Sequence, residues 1–106
     1  MYYLYIYVPE SHKEGLKNAL FDIGFGRFNH YDCCSWEIKG KGQFRALEES
    51  TPFLGEKNKI YQEDEYRIEM ISQDKKPLQK LKETLKKAHP YECPAYGVIK
   101  LENDLF

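Results

Sequence analysis

Tyr2-Tyr3-Leu4-Tyr5-Ile6-Tyr7-Val8-Pro9 alternates aliphatic and aromatic side chains from Tyr3 to Val8. A period of two in β-branched and aromatic residues predicts a strand, and the proline predicts its end. Leu4, Ile6 and Val8 fall on one face, and Tyr3, Tyr5 and Tyr7 on the other. Neither face is polar, so both need cover. The next residues change period. Ser11 and Glu14 have the spacing of a capping box, and Leu16, Ala19, Leu20 and Ile23 form a helical stripe. Gly24 stands where a helix-ending glycine belongs.

The rest of the chain repeats this pattern of strand and amphipathic helix. After a turn at 24–26, Tyr31 to Ile38 reads as a second strand. Lys39-Gly40-Lys41-Gly42 reads as a turn, with Gln43 to Leu47 returning as a short strand. Residues 48–57 form an irregular excursion around Pro52-Phe53-Leu54-Gly55. A long strand is expected from about Lys59 to Ile71, with Tyr66, Ile68 and Met70 on one side. Asp74 is placed to cap a second helix, and Pro77 is tolerated in its first turn. Leu78, Leu81, Leu85 and Ala88 form the buried stripe of that helix, and six lysines between Lys75 and Lys87 decorate its solvated remainder. Tyr96 to Leu101 is the last strand.

The sum is β-α-β-(β)-β-α-β, an α+β chain of the ferredoxin-like split βαβ pattern. Residues 1–106 are expected to form one domain, an antiparallel sheet with both helices on one face. The other face then presents Tyr3, Tyr5 and Tyr7. A contiguous aromatic patch of that kind marks an interface, so oligomerisation through the open face is expected.

The bulk numbers exclude several classes. The 106 residues are 42% hydrophobic and 31% charged, as in globular proteins, with a net charge of −1. That charge gives no long-range attraction for nucleic acid or anionic membranes. No apolar run approaches the roughly 20 residues that cross a bilayer, and the N-terminus lacks the pattern of a signal peptide. The three cysteines cannot all pair in one chain, which points to reduced thiols and a cytoplasmic location.

Gly24-Phe25-Gly26-Arg27, Tyr31-Asp32, Cys34-Ser35, Gly42-Gln43-Phe44-Arg45, Pro52-Phe53-Leu54-Gly55, Arg67-Ile68-Glu69 and Ala88-His89-Pro90-Tyr91-Glu92 occur in that order. Together they resemble the YqfO-type domain inserted in the Nif-three-like proteins, also labelled GTP cyclohydrolase I type 2 homologues. The stretch His89-Pro90-Tyr91-Glu92, with Pro94, is similar to one in CutA, the divalent-cation-tolerance proteins. The resemblance implies a PII/CutA-like domain and a homotrimer. It carries no hydrolase activity across, because the metal centre of the Nif-three-like proteins lies in lobes for which this chain has no room. Cys33 stands where a histidine is common in that family, Ala46 where proline is usual, and Cys93 where a second glutamate is usual.

Several residues carry candidate chemistry. His30, Cys33, His89 and Glu92 offer imidazole, thiolate and carboxylate for a divalent metal such as zinc or copper. Cys33 and Cys34 point to opposite faces if they lie in a strand, so they do not grip one ion. The alternative makes Cys34 a small core residue and Cys33 incidental. His89 ends a helix, where a cationic ring is favoured and can bond free carbonyls. Alternatively, His89 and Glu92 face a cleft beside Tyr31 and Arg45 of the same or a neighbouring subunit and bind a metal or a small polar ligand. The 24–27 turn follows a helix, the wrong order for a phosphate loop. Arg27 and Arg45 either attract an anion or pair with Glu63-Asp64-Glu65.

The function expected from these readings is ligand sensing or binding of the PII/CutA-like type, with a divalent metal or small ligand near a subunit interface, and not enzymatic. The alternatives are a structural interaction module with no small ligand and a small thiol-dependent enzyme, in which Cys33 pairs with His30 or His89.

Overall fold

The computed structural model describes residues 1–102. The elements run β1 (Tyr2–Pro9), α1 (Glu10–Asp22), β2 (Trp36–Arg45), β3 (Ile60–Ser72), a 3₁₀ turn (Lys76–Lys80), α2 (Leu81–Ala88) and β4 (Tyr96–Lys100). The sheet has the order β2-β3-β1-β4, and every pairing is antiparallel. This is the expected α+β, ferredoxin-like arrangement.

The alternation in β1 does what its period dictates. Leu4, Ile6 and Val8 are fully buried against Leu16 and Leu20 of α1, Leu81 and Leu85 of α2, and Ile68 and Met70 of β3. Each such side chain removed from water contributes about 1.5–3 kcal/mol. Gly24 ends α1 in a Schellman motif. The Phe25 amide donates to Leu20 O (3.1 Å) and the Gly24 amide to Phe21 O (3.0 Å). Gly24 takes φ +112°, a region that L-side chains avoid. Phe25 then drops into the core, 1% exposed.

Both helix starts differ from the sequence expectation. α1 begins one residue before Ser11, with Pro9 at the N-cap and no side-chain cap. The Ser11 hydroxyl bonds instead with Nδ1 of His12 (2.8 Å). Proline already fixes the extended backbone of an N-cap, so the capping box is not used. Asp74 does accept from an amide, that of Lys76 (3.0 Å). The turn it heads is a 3₁₀ turn carrying Pro77, and α2 proper starts at Leu81.

The larger correction concerns residues 31–47. Tyr31 to Ser35 are loop, and Cys33 has φ +53°. Lys39-Gly40-Lys41-Gly42 is no turn; it lies inside β2, which pairs continuously with Ile60–Glu69 of β3. Glycine is disfavoured in strand interiors but permitted where another group approaches the backbone closely. A Cβ at Gly42 would collide with the Glu65 carboxylate. β1 reaches only to Glu65 of β3, so residues 41–45 and 60–64 continue as a two-stranded ribbon. Such a ribbon is marginal alone and needs packing on its faces.

Candidate functional site

The open face of the sheet is organised by Arg67. It stands opposite Tyr7 in the β1–β3 register. Its guanidinium donates to the Tyr7 hydroxyl, to the Tyr3 hydroxyl (3.1 Å) and, through Nε, to Glu69 (3.0 Å). It also lies 4.6 Å from the centre of the Tyr5 ring, within cation–π range. The Tyr3 bond, then the Glu69 bond, push its pKa further up. The tyrosines are thus tied down from within the chain. Their neighbours on the same face are not: Trp36 is 60% exposed, Ile38 52% and Ile99 51%, opposite Glu69, Arg67 and Tyr3 respectively.

Beside this cluster, Gly40 bares the backbone of edge strand β2, while the Glu65 carboxylate lies over Gly42. A cleft of about 840 Å³ runs along β2 from Ile38 to Leu47. It is closed by Pro52 and Phe53 of the 48–57 excursion and by Tyr91 and Cys93, with Tyr7, Glu65 and Arg67 contributed by the sheet. The aromatic wall is continuous. Phe44 packs on Tyr61 (5.5 Å between centroids) and Tyr91 (6.3 Å), and Phe53 on Tyr91 (6.4 Å) and His12 (5.4 Å, edge-on). The Thr51 amide donates to Glu92 (3.0 Å) and fastens the excursion to the 91–95 segment. The Tyr91 hydroxyl is buried with no hydrogen-bond partner among the described residues. Burial first, and Glu65 nearby, hold its pKa well above the ordinary phenol value.

His89 supports this wall from behind. It is 7% exposed. Nε2–H donates to the Tyr7 carbonyl (2.8 Å), and Nδ1 accepts from the Tyr91 amide (3.1 Å). One donor and one acceptor define the neutral ring. Burial lowers its pKa, the Tyr7 carbonyl partly opposes this, and His12 lowers it further. The ring stacks 5.0 Å from Tyr91. His89 is therefore a neutral brace between β1 and the 90–95 segment, not a cationic group on the end of α2.

Of the four expected ligand-site residues, Arg45 and Glu92 line the cleft. His89 stands behind it through Tyr91. Tyr31 lies elsewhere, 73% exposed in the loop bridged to Phe28 and, at Arg27, to Ser72. Ser72 pairs with Tyr2, whereas His89 is bonded to Tyr7, and five strand residues span about 17 Å. The same distance divides the expected metal set: Asn29, beside His30, is bonded to Gln73, and Cys33 follows in the same exposed loop. His89 has no lone pair left for a metal. Among the described residues no three His, Cys, Asp or Glu side chains converge. His30, Cys33, His89 and Glu92 do not form a metal site within one chain. Cys34 is neither in a strand nor in the core; it is partly exposed, with Sγ 3.7 Å from the Asp32 carbonyl. The acidic run is faced by Lys39 and Lys41, which approach Asp64 at 3.8 and 3.9 Å. Arg67, Phe53 and Tyr91 were not singled out as site residues. For Arg67 the signal was available, since odd positions of the long strand share the face opposite Ile68 and Met70.

Two comparisons place this geometry among known proteins. A protein named GTP cyclohydrolase 1 type 2 homolog, from Halalkalibacterium halodurans, is 33% identical over 104 residues, covering 98% of this chain and 28% of its own length. One of the same name from Staphylococcus epidermidis is 29% identical over 103 residues, with 97% and 28% covered. The crystal structure of a Bacillus cereus protein related to NIF3 superposes with a TM-score of 0.78 at 30% identity, over 96% of this chain and 26% of that one. The chain is a homologue of one segment of these proteins. It spans about a quarter of the length of the curated relatives it matches. The fold is also that of CutA. The PII-like protein CutA from Nostoc gives a TM-score of 0.66 at 18% identity, over 97% of this chain and 83% of that one. CutA1 from Pyrococcus horikoshii gives 0.65 at 20%, over 97% and 85%. No family model matches the chain. No helix of the described residues is long and apolar enough to cross a membrane.

Proposed function

We propose that the chain is a non-catalytic ligand-binding domain of the PII/CutA-like type, with the cleft along β2 as its site. The observation that carries this reading is the closure of two distant segments, 50–53 and 91–95, over the stretch of β2 around Gly40. An apolar wall with a few convergent polar groups is the ordinary composition of a small-molecule site. Here Phe44, Phe53 and Tyr91 supply the wall. Arg45 offers a cationic group for a carboxylate or phosphate, and Glu65 and Glu92 offer acceptors. A small polar organic molecule fits this mixture better than a bare metal ion. A divalent metal enters only with such a molecule, or where a second copy adds ligands.

The same reading includes a homotrimer. The sheet has open edges at β2 and β4, and between them a face bearing Trp36, Ile38 and Ile99. Repeating one heterologous contact around a closed ring covers that face in every copy. The cleft then lies beside the subunit contact, and a bound molecule stabilises the assembly by mass action.

The test is thermal denaturation with a panel of nucleotides, dicarboxylates and divalent cations, on the natural sequence and on Gly40→Phe. A Cβ at Gly40 meets nothing within 4 Å, so the variant fills the cleft without crowding the core. The reading predicts that at least one compound raises the melting temperature of the natural sequence and leaves Gly40→Phe unmoved. No response in either protein favours a structural interaction module.

A further inference from the structure

The brace at His89 depends on one protonation state. Its ring donates at Nε2 and accepts at Nδ1. A second proton would occupy Nδ1 and set two donors, Nδ1–H and the Tyr91 amide, against each other. The Tyr7 carbonyl would still accept from Nε2–H, so the bond to β1 survives while the bond to the cleft wall is lost. Tyr91 is the ring that both Phe44 and Phe53 pack on, and the next residue, Glu92, fastens the excursion through Thr51. We propose that His89 is an acid-sensitive latch on the cleft: protonation at Nδ1 releases residues 90–94, carrying Tyr91 and Glu92 away from Phe53 and Thr51, and opens the cleft.

The surroundings offer the new charge little relief. From α1, the titratable group that faces the ring is His12, which opposes its protonation. The last turn of α2 adds the cations Lys86 and Lys87, both exposed. On its own segment the ring meets Tyr91, and Glu92 is turned to Thr51. Glu65 of β3 lies near the Tyr91 hydroxyl. β1 presents only a backbone carbonyl, because the Tyr7 hydroxyl is engaged by Arg67 on the other face. Relief therefore comes by moving residues 90–94, while the Ala95 carbonyl, accepting from the Tyr7 amide (3.1 Å), keeps the start of β4 on β1.

The inference concerns how the wall is held, not what fills the cleft, so its test uses the full chain without ligand. Nitrogen-15 spectra of the imidazole rings follow the tautomer and protonation of His89 from pH 8 to pH 4.5. Amide exchange of Tyr91 and Glu92, corrected for its intrinsic pH dependence, follows the segment. The expected result is a loss of Tyr91 protection of about tenfold, the worth of one such hydrogen bond. It should track the His89 proton while the Leu4, Ile6 and Ile68 amides stay protected. In His89→Gln the Tyr91 exchange should lose this pH dependence. Should that variant not fold, the natural sequence alone decides. Unchanged Tyr91 protection across the His89 titration overturns the proposal. So does loss of core and Tyr91 protection in a single step, or a His89 that stays neutral until the chain unfolds.

Discussion

Arg67 faces Tyr7 across the β1–β3 pair and donates to its hydroxyl on the side of the sheet away from the helices. With Tyr3 bonded to the same guanidinium at 3.1 Å and Tyr5 beneath it, one side chain links three tyrosines of β1. An aromatic strand face is thereby kept ordered in a chain whose helices cover only the opposite side.

Removing that link should be measurable in the isolated chain. Arg67→Ala loses charge-assisted hydrogen bonds and ring stacking at a side chain about two-thirds buried, and is expected to lower unfolding stability by about 2 kcal/mol. Arg67→Lys keeps the charge but not the planar fork, and should recover less than half of the loss. Urea denaturation compares the three proteins. Equal stability of Arg67→Ala and the natural sequence would show that the cluster contributes nothing.

Two glycines should respond in opposite ways to alanine. Gly24 has positive φ, and an added Cβ would sit 3.0 Å from Pro77 Cγ. Gly24→Ala is expected to destabilise by about 1–2 kcal/mol. Gly40 lies in a strand with open space around it, so Gly40→Ala should be neutral or stabilising by about 0.5 kcal/mol. Denaturant midpoints decide, and a reversed order would contradict the placement of β2.

Stability should decline on mild acidification because of His89. Its pKa is lowered in the folded chain from 6.5, so below that value the unfolded chain binds a proton that the folded one refuses. The stability linked to this ring is fully present above pH 6.5 and falls as pH drops toward the depressed folded value. Denaturation curves at pH 7.5, 6.5 and 5.5 should show this slope, and His89→Gln should flatten it.

A second acid limb belongs to Glu37, which accepts from Lys13 (2.7 Å) and Lys17 (2.9 Å) and ties α1 to the edge strand. The Lys13 and Lys17 bonds hold its pKa below 4.5. Its contribution is therefore present above pH 4.5 and is lost as pH falls through the depressed value. Glu37→Gln should remove this limb and leave the His89 limb intact. A Glu37→Gln protein with an unchanged acid profile would contradict the assignment.

Much of the fold was legible because burial imposes periods. Leu4, Ile6 and Val8, and the stripes through Leu16, Leu20, Leu81 and Leu85, have to face one core, and they do. The Lys39–Gly42 stretch was misread because two glycines flanked by lysines carry the local signals of a turn. What keeps that stretch extended is pairing with residues more than twenty positions away, and the Glu65 side chain that fills the space left at Gly42. The cleft was legible only in part. Glu92 and Arg45 were named, but Tyr91 and Phe53 become a wall through contacts that no spacing reveals. His89 was expected in either of two roles, and its bonds to Tyr7 and Tyr91 give it a third.

The domain is proposed to bind a small molecule in a cleft beside a trimer contact. Native mass spectrometry of untagged protein, purified without chelators, reports subunit number and retained mass together. The account predicts a trimer that carries added mass, or gains it from a compound selected by thermal shift, with Gly40→Phe trimeric but unable to bind. A monomer that retains and gains nothing would contradict it.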